Sequence, residues 1–323
     1  MPDVGHQRGG GCARRHLHLR LRVRRGDRSR VRLGHAVPPG EEPECGASRP
    51  PQLPRTIEMK RLIFTLLYDS GHFVLSRNFR LQRVGDINWL KSNYNFERIG
   101  FSIDELILLN VSRSPDSRHD FCGAVASLND DCFAPIAAGG WISEVAHARE
   151  LLNSGADKVV INTHLVRSPV VITEIARDFG AQCIVASIDV VDRGDRHVPV
   201  IERGSVELVT TLEQHLRSVA SMPIGEIYLT SVDRDGTGDG YDANLLRSLP
   251  VDLSVPLIIA GGVGTPRHLV EGLTVGAVDA VATAHLHNFV GDGLSRARLE
   301  LQTSGFDLPD FSYDDAAALR GLR

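Results

Sequence analysis

Glu105-Leu-Ile-Leu-Leu-Asn-Val-Ser-Arg-Ser114 and Glu226-Ile-Tyr-Leu-Thr-Ser-Val-Asp-Arg-Asp235 are two versions of one phrase, 121 residues apart. Pro135-Ile-Ala-Ala-Gly-Gly140 is answered by Pro256-Leu-Ile-Ile-Ala-Gly-Gly262, and Lys158-Val-Val-Ile-Asn-Thr-His-Leu165 by Ala280-Val-Ala-Thr-Ala-His-Leu286, so the offset stays at 121 to 122 residues. A sustained offset of this size means that a whole multi-element unit has been duplicated. Working outward, eight short apolar runs appear: Leu62–Leu67, Glu105–Val111, Phe133–Ala138, Lys158–Ile161, Cys183–Ile188, Glu226–Thr230, Leu257–Ala260 and Ala280–Ala284. They are too continuously apolar for half-exposed antiparallel strands, and stretches between them, such as Ser143–Ser154 and Pro266–Val275, have helical spacing. Eight parallel β/α units in about 250 residues make one (β/α)8 barrel, an α/β fold built here from two half-barrels.

The barrel is expected over residues 59–323. Of the 323 residues, 42% are apolar and 24% charged, which excludes collagen-like, coiled-coil and wholly disordered classes. The formal charge of −4 hides an uneven distribution, because residues 1–58 hold twelve Arg against six acids. That leader has neither helical nor strand periodicity and is expected to be disordered, or to precede the true start at Met59. A basic arm for nucleic acid or a transit peptide is the alternative reading of the same arginines. No run approaches the roughly 18 to 20 apolar residues of a membrane span, no secretory signal is readable, and five dispersed cysteines fit a reducing compartment. Cytoplasmic location is expected, with no nucleic-acid or membrane partner.

Active sites of this fold lie at the C-terminal ends of the strands. Gly139-Gly140 and Gly261-Gly262 occupy equivalent strand ends, where backbone amides beside a helix start suit an oxyanion. Two such cradles favour a ligand phosphorylated at both ends over two plain tight turns. They differ in the residue that follows, Trp141 in the first and Val263 in the second.

Leu229-Thr-Ser-Val-Asp-Arg-Asp-Gly-Thr-Gly-Asp-Gly-Tyr-Asp242, Ala260-Gly-Gly-Val-Gly264, Gly155-Ala-Asp-Lys-Val-Val-Ile-Asn162 and Gln182-Cys-Ile-Val-Ala-Ser-Ile-Asp189 resemble the cyclase subunit of imidazole glycerol phosphate synthase, from Arg61 to about Phe289. The resemblance implies a subunit that pairs with a glutaminase in a heterodimer and takes ammonia from it. In histidine biosynthesis that ammonia goes into imidazole glycerol phosphate, made from a bis-phosphorylated ribulosyl precursor. No metal and no redox cofactor is implied.

The family works with two carboxylates, at the ends of the first and fifth strands, suited to general acid and base steps. Asp189 is the fifth-strand member, whereas Leu67 stands at the first-strand position and Asp69 is a displaced substitute. Family substrate and phosphate contacts carry over to Asn162, Thr163, Asp235, Gly236, Thr237, Gly262 and Ala284, with Gly139, Gly140 and Gly261 as the glycines of the two cradles. Asn110 replaces an acid usual in the family, and Trp141 replaces the third glycine of a triplet. On the opposite face, Arg61, Glu105, Lys158 and Glu226 match four charged residues that form the family's ammonia gate; a structural salt-bridge ring is the alternative. The interior above them is expected to be apolar, lined by residues such as Ile63, Leu109 and Leu229. His164, His285 and His287 are assigned no role.

Three functions remain open from sequence: the histidine-pathway cyclase itself, a cyclase-like paralogue relaying ammonia for acetamidino-sugar formation on surface polysaccharide, and a non-catalytic scaffold that activates a glutaminase. Because the leader carries no period that could bury a face, a protein starting at Met59 is expected to melt within a degree or so of the full chain. A loss of several degrees in a calorimetric comparison would contradict this.

Overall fold

The computed structural model describes residues 59–285, 289 and 291–309; the leader 1–58, with the expectation of disorder attached to it, lies outside the described residues. Twelve strands run in chain order as β1 (Arg61–Asp69), β2 (His72–Arg77), β3 (Arg80–Gly85), β4 (Glu105–Asn110), β5 (Ile136–Gly139), β6 (Lys158–Ile161), β7 (Ile184–Asp192), β8 (His197–Ile201), β9 (Val206–Glu207), β10 (Glu226–Ser231), β11 (Leu257–Ala260) and β12 (Ala280–Thr283). Eight of them, β1, β4, β5, β6, β7, β10, β11 and β12, pair in parallel, and the β1–β12 and β7–β10 ladders close the ring. Helices on the outside include Arg118–Asp131, Val145–Asn153, Pro169–Phe179, Leu212–Ala220 and Pro266–Leu273. This is the (β/α)8 barrel expected from the repeat.

Barrel strands are apolar on both faces because both are buried. Leu62, Phe64 and Leu66 of β1 point outward into the layer shared with the helices, while Ile63 joins Ile107, Ala137, Val185 and Ile258 in a separate inner cluster. The same alternation corrects one sequence expectation. Leu229 belongs to the outer layer, and its neighbour Tyr228 faces the interior. A strand has a period of two, so beginning inward at Glu226 fixes Tyr228 and Thr230 inward and Leu229 outward.

Two hairpins extend the barrel at equivalent points of the two halves. β1 continues through Ser70-Gly71, both at positive φ, into β2 and β3, and β7 continues into β8 and β9. These antiparallel extensions lengthen the first and fifth strands beyond the expected apolar runs, to Asp69 and Asp192. The third barrel strand is shorter than expected. It starts at Ile136 because Pro135 has no N–H for the ladder, and Phe133 is half out of the protein, stacked on Phe101 at 5.8 Å.

The last helix among the described residues, Gly293–Thr303, is pinned by a buried pair: Arg298 Nη1 donates to both Asp104 oxygens at 3.1 Å, and Asp104 Oδ2 also accepts from Leu62 N at 2.7 Å. Burial pushes the Asp104 carboxyl up, with Arg298 opposing it. Among the described residues, no helix is long and apolar enough to cross a membrane. Removing one partner of a desolvated pair strands the other, so Arg298→Ala should cost about 3–5 kcal/mol. A urea melt with an unchanged midpoint would refute this.

Candidate functional site

At the N-terminal mouth of the barrel four charged side chains from four strands meet in a closed ring. Arg61 Nη1 lies 3.1 Å from Glu105 Oε2 and its Nη2 lies 2.5 Å from Glu226 Oε2. Lys158 Nζ lies 2.7 Å from Glu105 Oε2 and 2.5 Å from Glu226 Oε1, so each cation holds both acids. Burial and the neighbouring Glu226 push Glu105 up, against the pull of Lys158 and Arg61. For Glu226 burial acts upward too, but Arg61 and Lys158 outweigh it and hold the carboxyl below its ordinary value. Glu105 Oε1 is buried with no hydrogen-bond partner. Inward of this ring the barrel is apolar at Ile63, Ile107, Ala137, Val185 and Ile258, and hydroxyl groups follow, among them Tyr228, whose Oη lies 3.2 Å from Thr65 Oγ1.

At the opposite end a cavity of about 640 Å³ opens among the βα loops. Leu67, Gly140, Asn162, Thr163, Asp189, Asp235, Gly261 and Ala284 all line it, so most of the residues singled out from sequence come together. Asp69 does not line it; its carboxylate accepts from Ser70 Oγ at 2.9 Å, at the start of the first hairpin. Gly139, Gly236, Thr237 and Gly262 stand beside the lining rather than in it. Gly139 is a strand residue whose Cβ would come within 2.3 Å of Val160 O, so close strand packing accounts for it.

Asp189 sits in β7 where the parallel barrel ladder gives way to the hairpin, half-buried at the cavity floor, and accepts from Asn162 Nδ2 at 3.0 Å. Burial raises its pKa to about 7; the Asn162 amide opposes the rise and the charge of Asp235 adds to it. Asp235 is engaged differently. Its carboxylate accepts from Ser76 Oγ at 2.5 Å and Phe79 N at 3.2 Å, and its backbone O accepts from Asn78 N at 3.0 Å, which fastens the β2–β3 hairpin to the loop after β10. Gly236 has φ +67, and a Cβ there would meet Ser76 O at 1.9 Å, so only glycine allows this docking. Further along, Gly240 N donates to Gly262 O at 2.7 Å and Asp242 caps the next short helix through Asn244 N and Leu245 N. The Asp-Arg-Asp-Gly-Thr run thus organises one whole side of the cavity rim.

Thr237 Oγ1 is turned into its own loop, donating to Arg234 O at 2.9 Å. Thr163 Oγ1 accepts from Glu202 N at 3.3 Å, and Arg167 Nη2 lies 2.9 Å from Glu202 Oε1, which ties the second hairpin to the rim. Tyr228, Thr65, Ser76, Arg167 and Arg203 are rim or interior residues that sequence reasoning missed. Strand parity carried a signal for Tyr228; for the hairpin residues the signal was the Ser70-Gly71 turn between two apolar runs. Among the described residues one group of metal-ligand type gathers, Asp192, His197 and Asp242. There His197 Nε2 lies 2.8 Å from Asp242 Oδ2, a contact that holds β8 against the capped helix.

Comparison with known proteins adds the family. The profile of the histidine biosynthesis protein family matches residues 80–290. A provisionally named imidazole glycerol phosphate synthase subunit hisF2 of Parasynechococcus marenigrum (strain WH8102) is 46% identical over 244 residues, 75% of this chain and 90% of that protein. Imidazole glycerol phosphate synthase subunits HisF of Chlorobium limicola and Chloroherpeton thalassium are each 35% identical over 247 residues, 76% of this chain and 97% of theirs. A duplicated (β/α)8 barrel, the Asp189 cavity and these matches lead to one conclusion: the chain belongs to the histidine biosynthesis protein family, among the cyclase-type subunits of imidazole glycerol phosphate synthase.

Proposed function

We propose that this chain, residues 59–323 in effect, works in the cytoplasm as a heterodimer with a glutaminase docked on the N-terminal barrel face. Ammonia enters through the ring of Arg61, Glu105, Lys158 and Glu226, crosses the barrel, and reaches a phosphorylated substrate held over Asp189. The observation that carries this reading is the pairing of a closed charge ring at one mouth with a carboxylate-bearing cavity at the other. Neutral ammonia crosses an interior of this kind, whereas ammonium pays a large desolvation cost. The unpartnered Glu105 Oε1 supports the reading as an acceptor for a small N–H donor at the mouth. Gly261 and Gly262, both at positive φ and four to five residues ahead of helix Pro266–Leu273, are the phosphate end of the cavity in this reading.

Replacing Lys158 by Met leaves Glu105 and Glu226 with Arg61 alone. Glutamine-driven product formation, or glutaminase stimulation, is then expected to change while the circular dichroism spectrum is retained. The decisive measurement is co-purification with the candidate glutaminase, followed by glutamine hydrolysis with and without this subunit. If none associates and none is stimulated, the four charges are a structural ring only.

A second reading is favoured by Leu67, which faces the cavity where a partner carboxylate for Asp189 would stand. In it the chain is a paralogue that passes ammonia to another acceptor. With ammonium salts and the bis-phosphorylated histidine precursor, turnover is expected to be roughly 10²–10⁴-fold below that of a two-carboxylate member. Robust formation of imidazole glycerol phosphate would exclude the paralogue reading.

Asp189 also carries a pH signature. An acid whose native pKa is near 7, against roughly 3.9 when unfolded, favours the folded state below the lower value and loses that contribution as pH rises through the higher one. Asp189→Asn has no proton to lose. Its melting temperature relative to wild type should therefore climb between about pH 4 and pH 7 and level off above. A difference independent of pH would show that Asp189 ionises normally.

A further inference from the structure

The two ends of the cavity are built differently. At the second-half end Gly261 lines the wall; at the first-half end the residue after Gly140 is Trp141, and its indole is part of the lining. Trp141 holds φ +60, a left-handed conformation that side chains seldom adopt. It is kept there. Its Nε1 donates to Ser112 O at 2.9 Å, and Gly140 beside it packs so tightly that a Cβ would come 2.3 Å from Asn110 O. Asn110 is held by its neighbours: its Nδ2 donates to Ser117 Oγ at 2.9 Å and its Oδ1 accepts from Ser112 N at 3.1 Å. Leu67, Leu109 and Ile142 are apolar members of the same lining. The nearest cation is Arg203, exposed at the tip of the β8–β9 hairpin, with its guanidinium 6.0 Å from the indole centroid and no ion pair among the described residues.

A phosphate at this end would face the negative surface of the indole and apolar side chains, with Arg203 as the charged donor above the ring. A ring face meets the opposite situation, because indole stacks on π or C–H surfaces and a cation above the stack adds to it. We propose that the first-half end of the cavity is a ring subsite, so that the substrate of this chain carries phosphate at one end only and lays a nucleobase or pyranose ring against Trp141 beneath Arg203. This rests on reading Gly261–Gly262 as the phosphate end. A ring between the two side chains needs two contacts of about 3.5–4.0 Å, so Arg203 lifts by an ångström or two as the ring enters.

The chain has two tryptophans, so Trp89→Phe leaves Trp141 as the sole indole reporter. In that background uridine 5′-monophosphate or glucose 1-phosphate is expected to change the fluorescence saturably and to bind more tightly than ribulose 1,5-bisphosphate. The tighter of the two identifies the source of the ring. In the otherwise wild-type chain, followed by calorimetry, Trp141→Gly, which is unstrained at φ +60, should weaken the ring ligand roughly tenfold and strengthen the bisphosphate. Trp141→Phe should keep most of the ring affinity. The proposal is overturned if neither ring ligand binds at millimolar concentration, if the bisphosphate binds wild type most tightly, or if Trp141→Gly leaves ring affinity unchanged. Uridine binding as tightly as its monophosphate would overturn the phosphate-end reading instead, while loss of uridine binding in Trp141→Gly would still support the ring subsite.

Discussion

A closed parallel barrel gives each strand side chain two directions, into the bore or out to the helices, and the rest of this molecule follows from that restriction. Along β1 the inward column reads Arg61, Ile63, Thr65, Leu67; along β10 it reads Glu226, Tyr228, Thr230; along β7 it reads Val185, Ser187, Asp189. Charge at the mouth, apolar and hydroxyl groups between, and chemistry at the far end are therefore successive steps of two residues on the same strands. Four residues of strand rise about 13 Å, so the mouth and the cavity are close. No separate element has to connect them.

The ring at the mouth is a poor device for stability alone. Each of its acids is almost wholly desolvated, and an apolar plug of similar volume commonly serves a fold as well or better than a buried ion cluster. What the ring achieves is geometric: two cations alternate with two acids, every carboxylate is shared, and one oxygen, Glu105 Oε1, is left over. In the reading proposed above, that oxygen is the acceptor for a small polar molecule at the mouth.

The barrel was readable before any coordinates because a duplication repeats its errors as well as its signals; eight apolar runs at matched offsets leave few alternatives. The site was readable where it rests on strand ends, as for Asp189, Asn162 and Asp235. Hairpins were not. β2, β3, β8 and β9 carry mixed polarity, with β3 largely exposed, and their apolar residues follow neither template for long. The role of Asp235 as the fastening of the first hairpin was therefore hidden, since its partners Ser76 and Phe79 are about 156 to 159 residues away in sequence. Leu229 faces outward for a different reason: it is the more apolar neighbour of Tyr228, but in a barrel parity decides the direction.

Each half-barrel brings its own loops to the shared cavity, so the two halves can change independently. The second half contributes Asp189, Asp235 and Gly261 to the cavity, with Gly240 N tying the loop after β10 to Gly262 O, whereas the first contributes Leu67, Asn110 and Trp141. Two of these are linked in space: Asn110 Oδ1 accepts from Ser112 N, and Ser112 O accepts from the Trp141 indole, while Leu67 lies beside Leu109 on the neighbouring strand. In the reading proposed above, the first-half end of the cavity, bounded by Leu67, Asn110 and Trp141, meets a different part of the ligand from the second-half end at Gly261, because each end is built by the loops of its own half.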